Sequence, residues 1–113
     1  MSDDRTHAGA AAPNLVRVLG KLDVVASKAF EAQLLAKLDS PEPVLFVDFA
    51  ECAYVSSAGL RAVLIAAKTA KKSDHRLILA GMNPSVREVF KVSGFDRMLV
   101  IEHDLAMAVA AQG

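Results

Sequence analysis

Apolar side chains recur along the chain in short runs that predict β-strands. Residues 15–22 alternate apolar and polar positions, a pattern typical of a half-exposed strand near a sheet edge. Residues 44–49 and residues 77–80 are almost continuously apolar, as strands covered on both faces are. A last apolar run at residues 98–101 predicts the final strand. Residues 51–54 are expected to be a short connection after the second strand.

Helical spacing separates these predicted strands. Phe30, Leu34 and Leu38 recur at i, i+4 and i+8, which places them on one face of a first helix. Ser27 is the expected N-cap of this helix, because its hydroxyl can accept a hydrogen bond from a free backbone N–H. The two prolines within residues 39–43 end the helix, since proline does not fit a helix interior.

A second helix is predicted between residues 58 and 72, where the apolar spacing becomes helical again. Leu60 and Leu64 lie four residues apart and are expected to be buried against the sheet. Arg61 and Lys68 fall on another face, which we expect to be exposed.

The remaining helices complete an alternation of strands and helices. Asn83 and Pro84 predict the start of a third helix, as N-cap and first helical residue, and Gly94 is expected to end it. Residues 104–111 predict a fourth helix. This order predicts an α/β domain over residues 14–113, with right-handed crossovers and about four helices on a mainly parallel, four- to five-stranded sheet.

Composition narrows the classes of function. The chain has 113 residues, the size of one domain, and begins with an alanine-rich stretch at residues 1–13 that predicts a flexible tail. Thirteen basic and thirteen acidic residues cancel, so neither nucleic acid nor a membrane is an expected partner. No apolar run approaches the roughly 20 residues of a membrane span. The single cysteine, Cys52, suits the cytoplasm, where we expect the protein to work.

Sequence motifs for catalysis and cofactor binding are missing. The chain contains neither GxGxxG nor GxxxxGK[ST], the two common cradles for nucleotide phosphates. His7, His75 and His103 have no His or Cys neighbour at metal-ligand spacing. Ser57 lies at a predicted strand-to-helix turn, but its phrase VSSAG differs from the GxSxG of a nucleophile elbow. We therefore expect no enzyme activity, no metal and no cofactor.

The phrase VSSAGLRAVLIAA at residues 55–67 joins a predicted buried strand directly to a predicted helix. Ser56 and Ser57 fall where a helix start needs side-chain oxygens for its free N–H groups. The simplest interpretation is structural, with one serine as the N-cap and the other as a small neighbour. Gly59, in the first turn, allows close approach of the backbone to other elements.

With Asp48 before it, GKLD at residues 20–23 and NPSVREVFKVSGF at residues 83–95, this phrase resembles a STAS domain. The resemblance covers nearly all of the chain and narrows to the stand-alone bacterial anti-sigma factor antagonists. In that family the phosphorylated serine stands two residues before the glycine of the strand-to-helix turn. The corresponding residue is Ser57, and Ser56 is the alternative.

The resemblance implies a binding protein that is switched by phosphorylation. The unphosphorylated form would bind a serine kinase that is also an anti-sigma factor, phosphorylation would release it, and a PP2C-type phosphatase would reverse the modification. The free protein is expected to be a monomer. The implied partner-binding surface consists of Asp23, Ser56, Ser57, Ala58, Gly59 and Arg61. Asp23 has a second interpretation as a simple turn or capping acid.

A different class of function stays open beside this one. Some STAS domains are subunits of lipid-transport ATP-binding-cassette complexes, where the domain is structural and needs no phosphorylation. The pair Ser56-Ser57 favours the antagonist interpretation over this alternative.

Overall fold

Four strands and four α-helices alternate along residues 14–112, the part of the chain that this computed structural model describes. The strands are β1 (Leu15–Leu22), β2 (Val44–Val55), β3 (Arg76–Ala80) and β4 (Val100–Glu102). The helices are α1 (Val24–Leu38), α2 (Ser57–Lys72), α3 (Pro84–Val92) and α4 (Leu105–Gln112), and a 3₁₀ turn spans Phe95–Arg97. The tail predicted at residues 1–13 lies outside the described residues.

Parallel pairing connects all four strands in the order β1-β2-β3-β4, so each crossover returns the chain to a neighbouring strand. Among the described strands β1 lies at one edge of the sheet, and there Val16 and Val18 are buried while Arg17 is exposed, as the alternation predicts. Gly20 has a φ angle of +72° at an irregularity in the β1–β2 register. The predicted α/β fold with a parallel sheet is confirmed.

Two layers of helices cover the sheet. Side chains of α1, α2 and α3 form the larger cluster, in which Phe49 of β2 meets Phe90 of α3 edge to face, with ring centroids 5.9 Å apart. The smaller cluster includes Phe46, Ile78 and Ala108, and it packs α4 against the other face of the sheet. β2 and β3 contribute to both clusters, which explains their continuous apolar runs.

β2 is longer than the sequence indicates. Residues 51–54, predicted as a connection, continue the strand, because β1 pairs with β2 from Phe46 to Val55. Cys52 and Val55 are buried in this extension. The extra length carries the end of β2 alongside the end of β1.

The first helix begins one turn earlier than predicted. Asp23 is its N-cap, since the Asp23 Oδ1 atom accepts a 2.8 Å hydrogen bond from the backbone N–H of Ala26. Ser27, the predicted cap, is instead buried in the first turn, where its hydroxyl donates to the Asp23 carbonyl. The apolar face of Phe30, Leu34 and Leu38 is buried as predicted, because it does not depend on where the helix starts.

The buried face of α2 is rotated from the predicted one. Leu60 and Leu64 are only half-buried, and the residues that face inward are Gly59, Ala62, Val63, Ala66 and Ala70. Small side chains on the inward face let α2 pack closely against α1 and the sheet, so the larger leucines lie at its flanks. Arg61 and Lys68 are exposed, as predicted.

The last part of the chain follows the predicted order with a shifted strand. Asn83 caps α3 through a 2.8 Å hydrogen bond from the Val86 N–H, and Gly94 has a left-handed φ of +81° just after the helix. β4 begins at Val100 and not at Met98, because Met98 caps the 3₁₀ turn that connects α3 to the strand.

The rotated face of α2 leads to a matched pair of substitutions. Leu34→Ala removes a fully buried side chain and should cost about 2–5 kcal/mol of unfolding free energy. Leu64→Ala makes the same chemical change at a half-buried position and should cost on the order of 1 kcal/mol. Chemical unfolding of both variants measures the difference. Equal losses would contradict the observed orientation of α2.

Candidate functional site

The ends of β1 and β2 bring two helix N-termini side by side. Leu22 pairs with Val55 in the last register position, and the Ser56 N–H donates a 3.0 Å hydrogen bond to the Leu22 carbonyl. α1 and α2 start directly after these residues, so Asp23 and Ser56 cap neighbouring helices. The predicted site residues therefore lie together at the carboxyl ends of β1 and β2. We call this end of the sheet the serine edge.

Ser56 is fixed in place by its hydroxyl. The Ser56 Oγ atom donates a 2.8 Å hydrogen bond to the Leu22 carbonyl and accepts a 3.2 Å hydrogen bond from the Gly59 N–H. This is the geometry of an N-cap that also ties α2 to β1. Because both hydrogen-bonding functions of the hydroxyl are occupied, Ser56 is the structural serine of the pair.

Ser57 is the first residue of α2 and is exposed. Within residues 14–112 its hydroxyl forms no hydrogen bond, so the group projects freely from the helix start. The N–H groups of Ser57 and Ala58 also have no acceptor among the described residues, as the first N–H groups of a helix commonly do not. The two serines thus have opposite environments, although they are adjacent in sequence.

Gly59 has a packing role. A Cβ atom at this position would lie 2.8 Å from Leu22 Cδ2 and 3.0 Å from Val55 Cγ1, closer than side chains normally approach. Any larger residue would push α2 away from the strand ends. Gly59 is buried, so the structure assigns a packing role to this residue of the partner surface that the family resemblance implied.

The other predicted surface residues lie around Ser57. Asp23 is exposed and caps α1, so the capping interpretation is confirmed. Arg61 is exposed four residues after Ser57, which places the two side chains on the same side of α2. Ala58 is half-buried beside them.

Apolar residues beside the site were not anticipated from the sequence. Val24 and Val25, the first two residues of α1, are exposed directly after the Asp23 cap; we call them the valine pair. Tyr54, near the end of β2, is also exposed, next to a shallow cavity of about 90 Å³ between β2 and α3. The available signal was two adjacent valines directly after Asp23, before the predicted start of the helix.

Cys52 lies beneath this edge and is buried. Burial raises the pKa of its thiol, and the backbone hydrogen bonds to Tyr54 and Leu22 only partly oppose that rise. The Asn83 side chain donates a 3.1 Å hydrogen bond to the Cys52 carbonyl and so attaches the start of α3 to β2. The thiol is protonated at neutral pH and serves packing.

The described residues form neither a cluster of metal ligands nor a membrane-spanning helix. Between residues 14 and 112, no three His, Cys, Asp or Glu side chains come close enough to share a metal ion. None of the helices in this range combines the length and the apolar content that crossing a bilayer requires.

Comparison with known proteins identifies the family. The family model described as "Mlab, STAS domain" matches residues 6–102. The chain belongs to the STAS domain family. The family prediction made from the three sequence motifs is therefore confirmed, and the phrase around Ser57 is the strand-to-helix turn of a STAS domain.

Individual STAS proteins resemble the chain over most of its length. BtrV of Bordetella bronchiseptica, named as a candidate anti-sigma factor antagonist, is 36% identical over 92 residues, which are 81% of this chain and 79% of BtrV. An anti-sigma factor antagonist from Mycobacterium paratuberculosis superposes with a TM-score of 0.77 at 23% identity, covering 86% of this chain and 82% of its own. Unphosphorylated SpoIIAA, a Bacillus antagonist, gives 0.73 at 23% identity, with 84% and 83% covered.

The contrast between the two serines can be measured as stability. Ser56→Ala removes the N-cap and its bond to the Leu22 carbonyl, so it should cost about 0.5–2 kcal/mol. Ser57→Ala removes a hydroxyl that has no partner among the described residues and should change stability by less than about 0.5 kcal/mol. Thermal or urea unfolding compares the two. A larger loss for Ser57→Ala would overturn the assignment of Ser56 as the cap.

Proposed function

We propose that this STAS protein is an anti-sigma factor antagonist whose binding is switched by phosphorylation of Ser57. The observation that carries the proposal is the free, exposed hydroxyl of Ser57 at the start of α2, at the position of the family's phosphorylated serine. The name of BtrV, at 36% identity, supports the same function. The protein acts by binding and not by catalysis.

In the unphosphorylated state, the partner is a serine kinase that is also an anti-sigma factor. It covers a surface of mixed character, with the Ser57 hydroxyl at its centre, the valine pair beside it and Asp23 and Arg61 available for ion pairs. Apolar side chains that are exposed in the free protein lose their contact with water when the partner binds, and this contributes to affinity. A small residue at the centre lets the kinase approach closely.

Phosphorylation of Ser57 adds about −1.5 to −2 charges at this centre. The helix start tolerates the anion, because the N–H groups of Ser57 and Ala58 have no acceptor among the described residues and Arg61 lies one turn away on the same side. The domain therefore stays folded. The partner instead meets a desolvated charge in a surface that fits a neutral serine, which weakens binding by a few kcal/mol, or roughly 10²-fold.

Reversal completes the cycle. The kinase supplies ATP from its own site, so this chain needs no cofactor, and a PP2C-type phosphatase removes the phosphate and restores the binding surface. We place the cycle in the cytoplasm, with the free antagonist as a monomer. The lipid-transport alternative is not favoured, because the BtrV relative carries an antagonist name and no feature of the described site is specific to a transporter subunit.

The site of phosphorylation tests the proposal most directly. After incubation with the cognate serine kinase and ATP, mass spectrometry should locate a single phosphate on Ser57, and Ser57→Ala should gain none. The kinase should still bind Ser57→Ala, since the hydroxyl contributes little besides the acceptor oxygen. A phosphate on Ser56 would assign the switch to the other serine. No phosphate on either serine would favour the structural-subunit alternative.

Charge and bulk can then be separated at the same residue. Ser57→Asp should weaken kinase binding by roughly 10²-fold in calorimetric titrations, because a charge sits inside the interface. Ser57→Asn, of similar size without the charge, should stay within a few-fold of the native affinity. Both variants should melt close to the native protein, with Ser57→Asp gaining at most about 0.3–1 kcal/mol from the helix N-terminus. Equal affinities would rule out electrostatic exclusion.

The valine pair provides an independent test of the interface. Val25→Ser should reduce kinase affinity by about 10-fold, because an apolar contact buried on binding is lost. Val92→Ser is the matched control at the end of α3, with 76% of the residue exposed compared with 81% at Val25. It should leave affinity unchanged, and neither variant should alter stability appreciably. If both variants bind like the native protein, the kinase does not cover the start of α1.

A further inference from the structure

A second surface feature lies along the other half of α2, away from Ser57. An open cavity of about 430 Å³ lies between this helix and the segment that precedes β4. It is lined by Leu64, Ala67, Lys68, Lys71 and Met98. A neighbouring cavity of about 190 Å³ shares Ala67, Lys71 and Met98 and extends to Val100. Because the two cavities share these lining residues, we describe them together as the lysine groove.

The groove exists because one flank of α2 has no helix beside it among the described residues. α1 packs against the other flank, and the groove side is bordered only by the short segment from Met98 to β4. Met98 and Val100 are exposed at this border, and β4 is the outer strand here among those that the structure describes. Apolar surface that faces a concave opening is typical of a site that binds another chain.

The charge of the groove has one sign. Lys68 and Lys71 lie along its rim, and no acidic residue lines either cavity. The whole chain has a formal net charge of zero, so this surface is a local concentration of positive charge. Lysines at a helix C-terminus also suit the helix dipole, but the dipole does not require an apolar floor beside them. An apolar floor with a positively charged rim is complementary to a segment that carries both apolar and acidic side chains.

We propose that the lysine groove is a docking site for an acidic, amphipathic segment of a partner protein. Leu64, Lys68 and Lys71 lie at i, i+4 and i+7, roughly 10 Å along the axis of α2, which matches about two turns of a helix packed alongside. Apolar side chains of the segment fill the space between Leu64 and Met98, and its carboxylates pair with the two lysines.

The docking site does not depend on the proposed switch. Lys68 and Lys71 follow Ser57 by roughly 16 and 21 Å along α2, so a phosphate at Ser57 would lie beyond the Debye length from both lysines. A segment in the groove would therefore stay bound to either phosphorylation state. Such an attachment would keep a partner close to the antagonist after the Ser57 surface has released it.

Titration with a designed probe tests the proposal. The probe is a synthetic helical peptide of about four turns (~14 residues) with leucines on one face and glutamates on the others, and its control carries lysines in place of the glutamates. Backbone NMR resonances of the full chain should shift around Leu64, Lys68 and Met98 with the acidic peptide only. Binding should weaken as salt rises. Shifts centred elsewhere, or equal binding of both peptides, would overturn the proposal.

Matched variants separate charge from apolar contact. Lys68→Glu combined with Lys71→Glu should weaken the acidic peptide at least 10-fold, whereas Lys28→Glu combined with Lys37→Glu, an equal charge reversal at exposed positions of α1 outside the groove, should not. Met98→Asp should also weaken it, whereas Met107→Asp should not, although the two methionines are 65% and 63% exposed. Unchanged binding to Met98→Asp would mean that charge alone attracts the peptide and no groove is used. Ser57→Asp should bind the peptide with native affinity, although it should bind the kinase weakly. Peptide binding and kinase binding can therefore fail independently of each other.

Discussion

The contact between the start of α2 and the ends of β1 and β2 determines the geometry of the candidate site. Gly59 allows it, because any Cβ there would meet Leu22 and Val55 at 3.0 Å or less. Ser56 fixes it, through hydrogen bonds from both its N–H and its hydroxyl to the Leu22 carbonyl. With α2 held in this way, Ser57 must emerge at the surface next to the start of α1. A packing constraint thus positions the residue that carries the proposed chemistry.

Much of the fold could be predicted because its signals are local. The proline at residue 84 and the left-handed glycine at residue 94 bound α3 within a few residues, and the central strands are continuous apolar runs. The errors came from long-range contacts. The extension of β2 depends on pairing with β1, and the inward face of α2 is set by how closely α1 and the sheet approach its alanines. Neither neighbour is visible in the sequence of the element itself.

The candidate site also combines features that local sequence predicts with features that depend on distant residues. The position of Ser57 followed from a motif, but the different environments of Ser56 and Ser57 required the Leu22 carbonyl, which is 34 residues away from Ser56. The packing role of Gly59 likewise depends on residues outside its own motif phrase, since a Cβ atom there would meet Leu22. The valine pair was missed since periodicity marks apolar residues that face a core, whereas these face solvent. Exposed apolar residues such as these do not follow the periodic hydrophobic pattern from which strands and helices are predicted.

The burial of Cys52 has a consequence for the kind of signal this protein can receive. It is the only cysteine of the chain, and it lies directly under the strand ends that carry the serines. A protonated thiol without access to solvent is a poor target for peroxide or for disulfide exchange, because both reactions need an accessible thiolate. Oxidation of Cys52 is therefore an unfavourable way to change the edge that carries Ser57.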